Sequence, residues 1–478
     1  MATMRKFVVN LYGSFWILHK KPVFFGVGMY VQIITDPSEF YKVLVKKSYE
    51  SHKRISISSL YLGTGNLENK LILAIKERMI TCPKLRVHWL LDFTRGSRGT
   101  VNSRTSLLPL ITQNPKLCSV SLFHTPELRG LLKRFIPQRW NEIIGLQHMK
   151  LYIFDDTLVI SGANLSKDYF TNRQDRYIVF NDCPDLADFY HRIIDTVGKY
   201  SLQLQDDNST QMEKGTGVHP FEGDYKKYCD AAQTAISILW DEECEKSRWR
   251  LHALPDNNSF NDSTEKQLDT LIFPTLQMNS FGIKTDSVVT TKLLHTSEED
   301  SLIKLASGYF NLTEDYMNCI LHNSKARYDI LLAHPKANGF LGSAGFSGAI
   351  PAGYTQIAKN FFWRLCGLPV GRHIFMSEYL REGWTFHGKG LWYYPPQSST
   401  PNLTLVGSPN FGWRSTQRDL ESQVVLLTQN AQLQSSLHNE QQNLYRNSQK
   451  VSEETFKQPD RFVPYWVQLI MPIIKRFF

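Results

Sequence analysis

A histidine and a lysine separated by one residue occur twice in the chain, as HMK at residues 148–150 and as HGK at residues 387–389. Each copy leads through a strand-like run into a turn of small residues that carries an asparagine, Asn164 in the first copy and Asn410 in the second. One histidine can attack a phosphorus atom and hold a phosphoryl group covalently, while the other transfers the proton. The lysines and asparagines can neutralise and orient the non-bridging oxygens. The two copies therefore predict one phosphate-transfer site built from two similar halves.

The similarity between the halves extends beyond these motifs. A strand, a turn that begins with a tyrosine, and a helix precede each motif, and the tyrosines are Tyr61 and Tyr309. A second strand follows in each half, in the segments LRVHWLLDFTRG and ARYDILLAHPKANG. Alternating strands and helices favour the α/β class. We therefore predict two pseudo-symmetric α/β units, each a mixed sheet flanked by helices, which share one active site at their interface.

Changes in composition divide the chain into five segments. Residues 1–30 contain basic but no acidic residues and resemble a short mitochondrial presequence. The repeats are assigned to residues 31–205 and 271–450, and the polar, irregular stretch 206–270 connects them. Residues 451–478 form an amphipathic segment that is predicted to associate with a membrane.

Charge and cysteine content limit the partners and the compartment. The formal net charge of +9 suits a polyanion, either nucleic acid or an anionic membrane surface. Seven cysteines without a CxxC pair favour a reducing compartment over a disulfide framework or a structural zinc. No run of 18 apolar residues is present, so no spanning helix is predicted. No metal-ligand cluster is evident in the sequence, so the chemistry is expected to need no cofactor, with modulation by divalent cations left open.

Two amphipathic segments are candidates for contact with a membrane. The C-terminal sequence RFVPYWVQLIMPIIKRFF is aromatic and aliphatic with a basic pair, and it is either an interfacial anchor or a terminal helix that packs on the core. Residues 128–146 are basic and amphipathic and run directly into the first motif. They form either a membrane-dipping lip or a surface helix that covers the sheet.

Several stretches together resemble the phospholipase D superfamily and, within it, the phosphatidylglycerophosphate synthase family. They are SLYLGTG, LLDFTRGSRG, GLQHMK, GANLSKDYFTNRQDRY, WTFHGKGLW and LVGSPNFGWRSTQRDLES. The resemblance implies a phosphatidyltransferase that acts on CDP-diacylglycerol and glycerol 3-phosphate, bound peripherally to the mitochondrial inner membrane on the matrix side. It implies an anionic membrane surface as partner and no nucleic acid, and it leaves the oligomeric state open. The alternatives are a cardiolipin-forming or lipid-hydrolysing relative, a nucleic-acid phosphodiesterase and a non-catalytic scaffold.

The resemblance also implies roles for the two histidines and for two carboxylates. His148 is expected to form a phosphatidyl-histidine, and His387 to act as a base near the reference pKa of about 6.5. Asp175 and Glu421 each lie 11 residues after the asparagine of their turn. Acids at this place in related superfamily members bond the histidine of the opposite half, which pairs Glu421 with His148 and Asp175 with His387.

The remaining predicted site residues hold charge or phosphate groups. Asp155, five residues after the first lysine, is predicted to be catalytic, whereas Tyr394 stands at the matching position of the second motif. The lysines Lys150 and Lys389 would stabilise the transferred phosphate, together with Asn164, Asn410 and Ser408. The candidates for holding the acceptor phosphate are Arg95, Arg98, Arg173, Arg414 and Arg418.

Overall fold

The structure is a computed structural model that describes residues 21–137, 140–252, 268–343, 345–368 and 373–477. In the first half and the connection, the elements are β1 (Phe24–Gly26), β2 (Val31–Ile34), α1 (Pro37–Glu50), β3 (Arg54–Ser59), α2 (Asn66–Thr81), β4 (Arg86–Asp92), α3 (Phe93–Gly96), α4 (Ser103–Gln113), β5 (Cys118–Phe123), α5 (Gly130–Phe135), β6 (Leu151–Phe154), β7 (Thr157–Ser161), α6 (Lys167–Thr171), β8 (Arg173–Gln174), β9 (Tyr177–Phe180), α7 (Pro184–Lys199), β10 (Leu202–Leu204), β11 (Thr210–Met212) and α8 (Tyr225–His252). In the second half they are β12 (Thr270–Met278), β13 (Ile283–Lys284), α9 (Thr285–Thr296), β14 (Leu302–Ser307), α10 (Glu314–Asn318), β15 (Arg327–Ala333), α11 (Ile350–Cys366), β16 (Ile374–Tyr379), β17 (Thr385–Phe386), β18 (Lys389–Tyr394), β19 (Leu403–Gly407), α12 (Trp413–Gln417), β20 (Glu421–Thr428), α13 (Ala431–Arg446), β21 (Ser448–Lys450) and α14 (Tyr465–Ile474).

Each half builds a mixed sheet with the same order of seven strands. The order is β5-β4-β3-β6-β7-β9-β2 in the first sheet and β16-β15-β14-β18-β19-β20-β12 in the second. In both sheets the first three strands are parallel neighbours, and the other pairs are antiparallel. The matching order is what two copies of one α/β unit produce, and the predicted fold class is confirmed.

The two halves share one hydrophobic core. Helix α7 carries apolar residues at Phe189, Ile193 and Val197, a spacing that places them on one face of the helix. This face packs in a core that also contains Ile160 from the first sheet and Val424 from the second. Alternate residues of each sheet point instead to a separate core within their own half.

The first two strands belong to different halves. Strand β1 pairs with β12 of the second sheet, whereas β2 pairs with β9 of the first. Residues 24–26, which fall within the predicted presequence 1–30, therefore lie in the second sheet. Residues 1–20 of that predicted segment are outside the described part of the chain. The predicted connection 206–270 contains α8, a helix of 28 residues.

A buried ion pair joins the halves close to the predicted site. Arg176 donates to the two carboxylate oxygens of Glu440 at 2.8 and 2.9 Å, and to the carbonyl oxygen of Leu405 at 2.7 Å. The indole N–H of Trp392 donates to the same carboxylate at 2.9 Å, and the indole ring lies 3.8 Å from the guanidinium carbon. Because both charges are withdrawn from water, each depends on the other.

We expect Arg176→Met to lower the free energy of unfolding by about 3–5 kcal/mol, because Glu440 would remain as a buried carboxylate without its cation. Urea unfolding followed by circular dichroism measures this loss. The double variant Arg176→Met/Glu440→Met should lose less than Arg176→Met alone, since it leaves no unpaired charge. Additive losses would show that the two side chains are not energetically coupled.

Candidate active site

Short parallel ladders between the halves hold both histidine motifs. Strand β17 leads into His387 and pairs with β8 of the first half, and the backbone N–H of His387 donates to the carbonyl oxygen of Gln174 at 2.8 Å. In the same way, the backbone N–H of His148 donates to the carbonyl oxygen of Leu420 at 2.8 Å, next to a parallel bridge between Gln147 and Leu420. Each histidine is thereby fixed beside the residue that precedes the carboxylate of the opposite half.

Each imidazole contacts that carboxylate. Nδ1 of His148 lies 2.9 Å from Oε2 of Glu421, and Nδ1 of His387 lies 2.6 Å from Oδ2 of Asp175. The structure thus brings together the two pairs that the resemblance implied. A neutral imidazole that donates its Nδ1–H to the carboxylate keeps the Nε2 lone pair for chemistry. At His387, Nζ of Lys389 also lies 2.8 Å from Nδ1.

Burial sets the protonation state of these groups. Burial lowers the pKa of His148 and of His387 well below 6.5, and the charges of the neighbouring lysines lower them further. Burial raises the pKa of Asp175 to about 6 and that of Glu421 above its usual value. Both imidazoles are therefore neutral at pH 7. The expectation that His387 works near its reference pKa is corrected by this burial.

The two lysines are buried beneath the histidines. Nζ of Lys150 donates to the carbonyl oxygen of His148 at 2.6 Å, and Nζ of Lys389 donates to that of His387 at 2.8 Å. Burial lowers the pKa of both ammonium groups, although the nearby carboxylates favour the charged forms. An anionic phosphate in the site would offset the free-energy cost of burying the charged ammonium groups, and the ammonium groups would stabilise the phosphate.

The asparagines occupy matched positions after β7 and β19. The side-chain oxygens of Asn164 and Asn410 are buried without a hydrogen-bond partner, so each amide keeps an unused acceptor in the site. An anionic phosphate oxygen would instead accept from the Nδ2–H groups of these amides. Gly162 in the first turn permits the close approach of the second half. A Cβ atom there would lie 2.7 Å from Oδ1 of Asp175 and 2.8 Å from Nζ of Lys389.

The structure corrects the prediction that Asp155 is catalytic. This residue follows β6, whereas His148 precedes it, so the two lie at opposite ends of the strand. The Asp155 carboxylate accepts hydrogen bonds from the backbone N–H groups of His52 and Lys53 at 2.8 and 2.7 Å and holds the connection between α1 and β3. Tyr394 stands at the matching position of the second motif, and its hydroxyl donates to Oε1 of Gln441 at 3.1 Å within the second half.

Two predicted arginines lie beside the histidines, one on each side. Arg173 forms an ion pair with Asp168 at 3.1 Å, and its charge lowers the pKa of the second-motif histidine. Arg414 forms an ion pair with Asp419 at 3.3 Å, and its charge lowers the pKa of the first-motif histidine. In both halves the paired residues stand four and nine positions after the turn asparagine, with the charges exchanged.

The other predicted phosphate ligands contact protein groups nearby. Arg98 donates to Glu142 at 3.0 Å, and the guanidinium carbon of Arg95 lies 4.3 Å from a tyrosine ring centroid. Arg418 donates to a backbone carbonyl of the loop that contains Glu142. The Ser408 hydroxyl accepts from the backbone N–H of Ser422 in β20 at 3.1 Å and donates to the carbonyl oxygen of the same residue at 3.2 Å. Ser408 therefore links the second turn to the strand that begins with Glu421.

Two further residues of the site are not marked by the motifs. The Tyr169 hydroxyl lies 3.3 Å from Nε2 of His387, a contact between halves that depends on how they are docked. Asp92, whose pKa burial raises to about 7, accepts from the backbone N–H groups of Gln147 at 3.0 Å and Arg95 at 2.8 Å. Asp92 thus anchors the residue before the first histidine. Within the described ranges, no three His, Cys, Asp or Glu side chains form a metal-binding group.

Known proteins that align with nearly the whole chain are named for the same activity. The chain is 47% identical over 481 residues to the mitochondrial CDP-diacylglycerol–glycerol-3-phosphate 3-phosphatidyltransferase of Gallus gallus, covering 97% of this chain and 86% of that protein. It is 45% identical to the Homo sapiens protein of the same name, covering 97% and 85%. It is 32% identical to the CDP-diacylglycerol–glycerol-3-phosphate 3-phosphatidyltransferase of Schizosaccharomyces pombe, covering 93% and 94%. No family model matches.

A solved structure shares the fold. The phosphatidylserine synthase of Haemophilus influenzae Rd KW20 superposes with a TM-score of 0.69, and the superposition covers 98% of this chain and 97% of that one. The sequence identity is 18%, so this likeness concerns the fold alone.

Replacing Glu421 by glutamine should lower the rate of phosphate transfer by roughly two orders of magnitude or more and leave the fold intact. The amide can still form a hydrogen bond with His148, but it cannot stabilise an imidazolium. Steady-state rates and thermal unfolding of the variant measure the two effects. Tyr394→Phe serves as the control and should cost little activity; if it proves the more damaging change, the carboxylate assignment is wrong.

The acid limb of kcat/KM for the phosphate donor should lie below pH 6.5. This parameter reports groups of the free enzyme, and the nucleophile must be an unprotonated imidazole. Because burial lowers the imidazole pKa, protonation that stops the reaction requires a lower pH than for a solvated histidine. A pH–rate profile tests this, and a limb at or above pH 6.5 would contradict the inferred effect of burial.

Proposed function

Because the chain belongs to the family of CDP-diacylglycerol–glycerol-3-phosphate 3-phosphatidyltransferases, we propose that it performs this transfer through a phosphatidyl group carried on His148. The products are phosphatidylglycerophosphate and CMP, in the committed step towards phosphatidylglycerol and cardiolipin. The observation that carries the mechanism is the pair of buried imidazoles, each bonded through Nδ1 to a carboxylate of the other half.

In the first step, Nε2 of His148 attacks the lipid-side phosphorus of CDP-diacylglycerol. A nitrogen–phosphorus bond forms, the bond to the CMP oxygen breaks, and its electron pair leaves with CMP. The leaving group is a phosphate, so this step needs little help from a general acid. Glu421 accepts the Nδ1–H of the same imidazole and compensates the positive charge that develops on it.

In the second step, a hydroxyl of glycerol 3-phosphate attacks the phosphatidyl-histidine. Nε2 of His387 accepts the hydroxyl proton, and the nitrogen–phosphorus bond breaks with return of its electron pair to His148. Lys150, Lys389 and the turn amides stabilise the non-bridging oxygens in both steps. Donors positioned in this way commonly contribute about 3–4 kcal/mol each to the transition state.

Arg173 is the best placed residue to hold the phosphate of the acceptor. It lies on the side of His387, the base that activates the acceptor hydroxyl, and its side chain is largely buried. Its partner Asp168 is more than half exposed, so an incoming phosphate can replace that carboxylate on the guanidinium. Arg414 lies on the side of His148 and is suited to the phosphate of the CMP portion.

The proposed chemistry assigns nucleophile, base and charge stabilisation to side chains. It includes no cofactor, and divalent cations enter only as modulators. The positive net charge is assigned to an anionic lipid surface and to the phosphates of the substrates, and nucleic acid is not a proposed partner.

We place the protein on the matrix face of the mitochondrial inner membrane as a peripheral protein. The relatives of Gallus gallus and Homo sapiens are named mitochondrial. None of the helices in the described ranges combines the length and the apolar character that crossing a membrane requires. A lipid substrate in a site between the two halves requires that the mouth of the site face the bilayer.

Helix α14 supports this placement through its two faces. Val467 and Met471 are buried against α11 and the residues before it, so the helix packs on the second half. Tyr465, Leu469 and Ile473 are 73, 59 and 73% exposed and form the opposite, apolar face. The packed face agrees with the interpretation of a terminal helix on the core, and we assign the exposed apolar face to the membrane interface.

A second apolar surface comes from the first half. Helix α5 exposes Leu131 and Phe135 and carries Lys133 and Arg134 in its last turn, a composition suited to an anionic interface. Arg418 connects the two regions, because it donates to a carbonyl of the loop before the first motif and lies over a phenylalanine ring that follows α14. Arg418 therefore links the two apolar surfaces, and we assign both to the side of the protein that meets the membrane.

His148→Ala should abolish both transfer and the covalent intermediate, since the variant lacks the attacking nitrogen. His387→Ala should instead accumulate labelled enzyme, because the first step needs no base. Incubation with CDP-diacylglycerol labelled in the lipid-side phosphate, followed by peptide mapping, measures both outcomes. Label found on His387 would reverse the two roles.

The double variant Leu469→Glu/Ile473→Glu should bind anionic vesicles roughly tenfold more weakly or worse, because it puts charge on the face assigned to lipid. Sedimentation with phosphatidylglycerol-containing vesicles measures binding, and circular dichroism checks the fold. Leu73→Glu/Ile80→Glu on α2 is the matched control, with 50 and 67% exposed side chains of the same types. Equal binding by the two double variants would contradict the assigned face.

A further inference from the structure

The two halves differ at the fifth residue after the turn asparagine. This residue is Tyr169 in the first half and Ser415 in the second, and each lies in the short helix that follows its turn. The hydroxyl of Ser415 accepts from the backbone N–H of Asn410 at 3.0 Å, within its own half. Tyr169 reaches instead to the opposite half, so the duplicated site is asymmetric at this point.

Tyr169 covers the catalytic nitrogen of His387. Its hydroxyl lies 3.3 Å from Nε2 of His387 and 3.2 Å from Nδ2 of Asn164. The Tyr169 ring meets the imidazole edge-on, with centroids 5.0 Å apart and planes at 82°. Tyr309 meets the same imidazole at 5.3 Å and 84°. The nitrogen that must take the proton of the acceptor therefore already has a buried hydroxyl as its partner.

The first histidine is less enclosed. The side chain of His148 is 11% exposed, against 4% for His387. The residue of the second half that corresponds to Tyr169 is a serine that bonds its own turn, so no matching phenol extends to His148. The imidazole of His148, the proposed nucleophile, is accordingly more exposed than the imidazole of His387, the proposed base.

We propose that Tyr169 makes the second step selective for the acceptor alcohol over water, an inference that rests on the function proposed above. Its hydroxyl occupies Nε2 of His387 until the hydroxyl of glycerol 3-phosphate replaces it. If water attacked instead, its oxygen would bond to phosphorus, its proton would pass to His387, and the nitrogen–phosphorus bond to His148 would break. The product of that reaction is phosphatidate, and the transfer is lost.

Arg173 explains why the acceptor can displace Tyr169 and water cannot. The guanidinium carbon of Arg173 lies 4.7 Å from the centroid of the Tyr169 ring. A phosphate bound to this arginine anchors the acceptor beside the phenol and gives its hydroxyl a high local concentration at His387. Water has no such anchor, so it must compete with the Tyr169 hydroxyl for Nε2 of His387 without the help of a bound phosphate.

The test is the product ratio of Tyr169→Phe. This variant removes one hydroxyl and leaves space for a water molecule between Asn164 and His387. The ratio of phosphatidate to phosphatidylglycerophosphate at a fixed concentration of glycerol 3-phosphate should rise about fivefold, the factor that corresponds to one hydrogen bond of roughly 1 kcal/mol. In water labelled with ¹⁸O, the phosphatidate should carry one labelled oxygen on phosphorus.

Tyr394→Phe is the matched control, because it also removes a buried, hydrogen-bonded tyrosine hydroxyl but lies away from the site. Its product ratio should equal that of the unmodified protein. A Tyr169→Phe variant that loses rate at an unchanged ratio would overturn the proposal, and so would an equal rise in the control. An unmodified protein that releases CMP without forming phosphatidylglycerophosphate would instead contradict the proposed function.

Discussion

Two backbone hydrogen bonds between the halves determine the geometry of the whole site. They join His148 to Leu420 and His387 to Gln174, at 2.8 Å each. Because the next residue in each case is the carboxylate that orients the histidine, the same bond that docks the halves also aligns an imidazole. Neither half contains a complete histidine–carboxylate pair by itself. The shared core and the buried pair of Arg176 with Glu440 therefore support catalysis by keeping the two halves in one register.

Burial gives this site a consistent electrostatic character. It lowers the pKa values of the histidines and lysines and raises those of Asp175 and Glu421, so every shift disfavours charge in the unliganded protein. A phosphate adds to the negative charge that Asp175 and Glu421 already place near the buried lysines. The fixed dipoles need little rearrangement when charge develops. The neutral imidazoles are meanwhile ready to act as nucleophile and base.

The repeated motifs were sufficient to predict two α/β units, because equal offsets in the two halves reflect equal places in the fold. The crossed pairing of the carboxylates was implied by the resemblance to the superfamily, since spacing alone does not show which histidine each acid contacts. The prediction for Asp155 is wrong because spacing along the chain does not show that strand β6 carries this residue away from His148. Strand β6 has four residues, so at about 3.3 Å per residue its first and last Cα atoms are about 10 Å apart. The exchange of β1 into the second sheet and the contact of Tyr169 with His387 depend on docking between halves, which local sequence patterns do not encode.

Duplication alone would produce two equivalent histidines, yet the proposed mechanism needs one to bind phosphorus while the other remains free to take a proton. The short helices after the turns supply this difference. The ion pairs have exchanged charges in the two halves, and the charge of Arg173 acts on His387 whereas that of Arg414 acts on His148. Tyr169 then encloses one imidazole, whereas its serine counterpart leaves the other more accessible. In the proposed mechanism, the roles are thus set by a few residue differences in one loop of each repeat, while the strands that align the imidazoles stay equivalent.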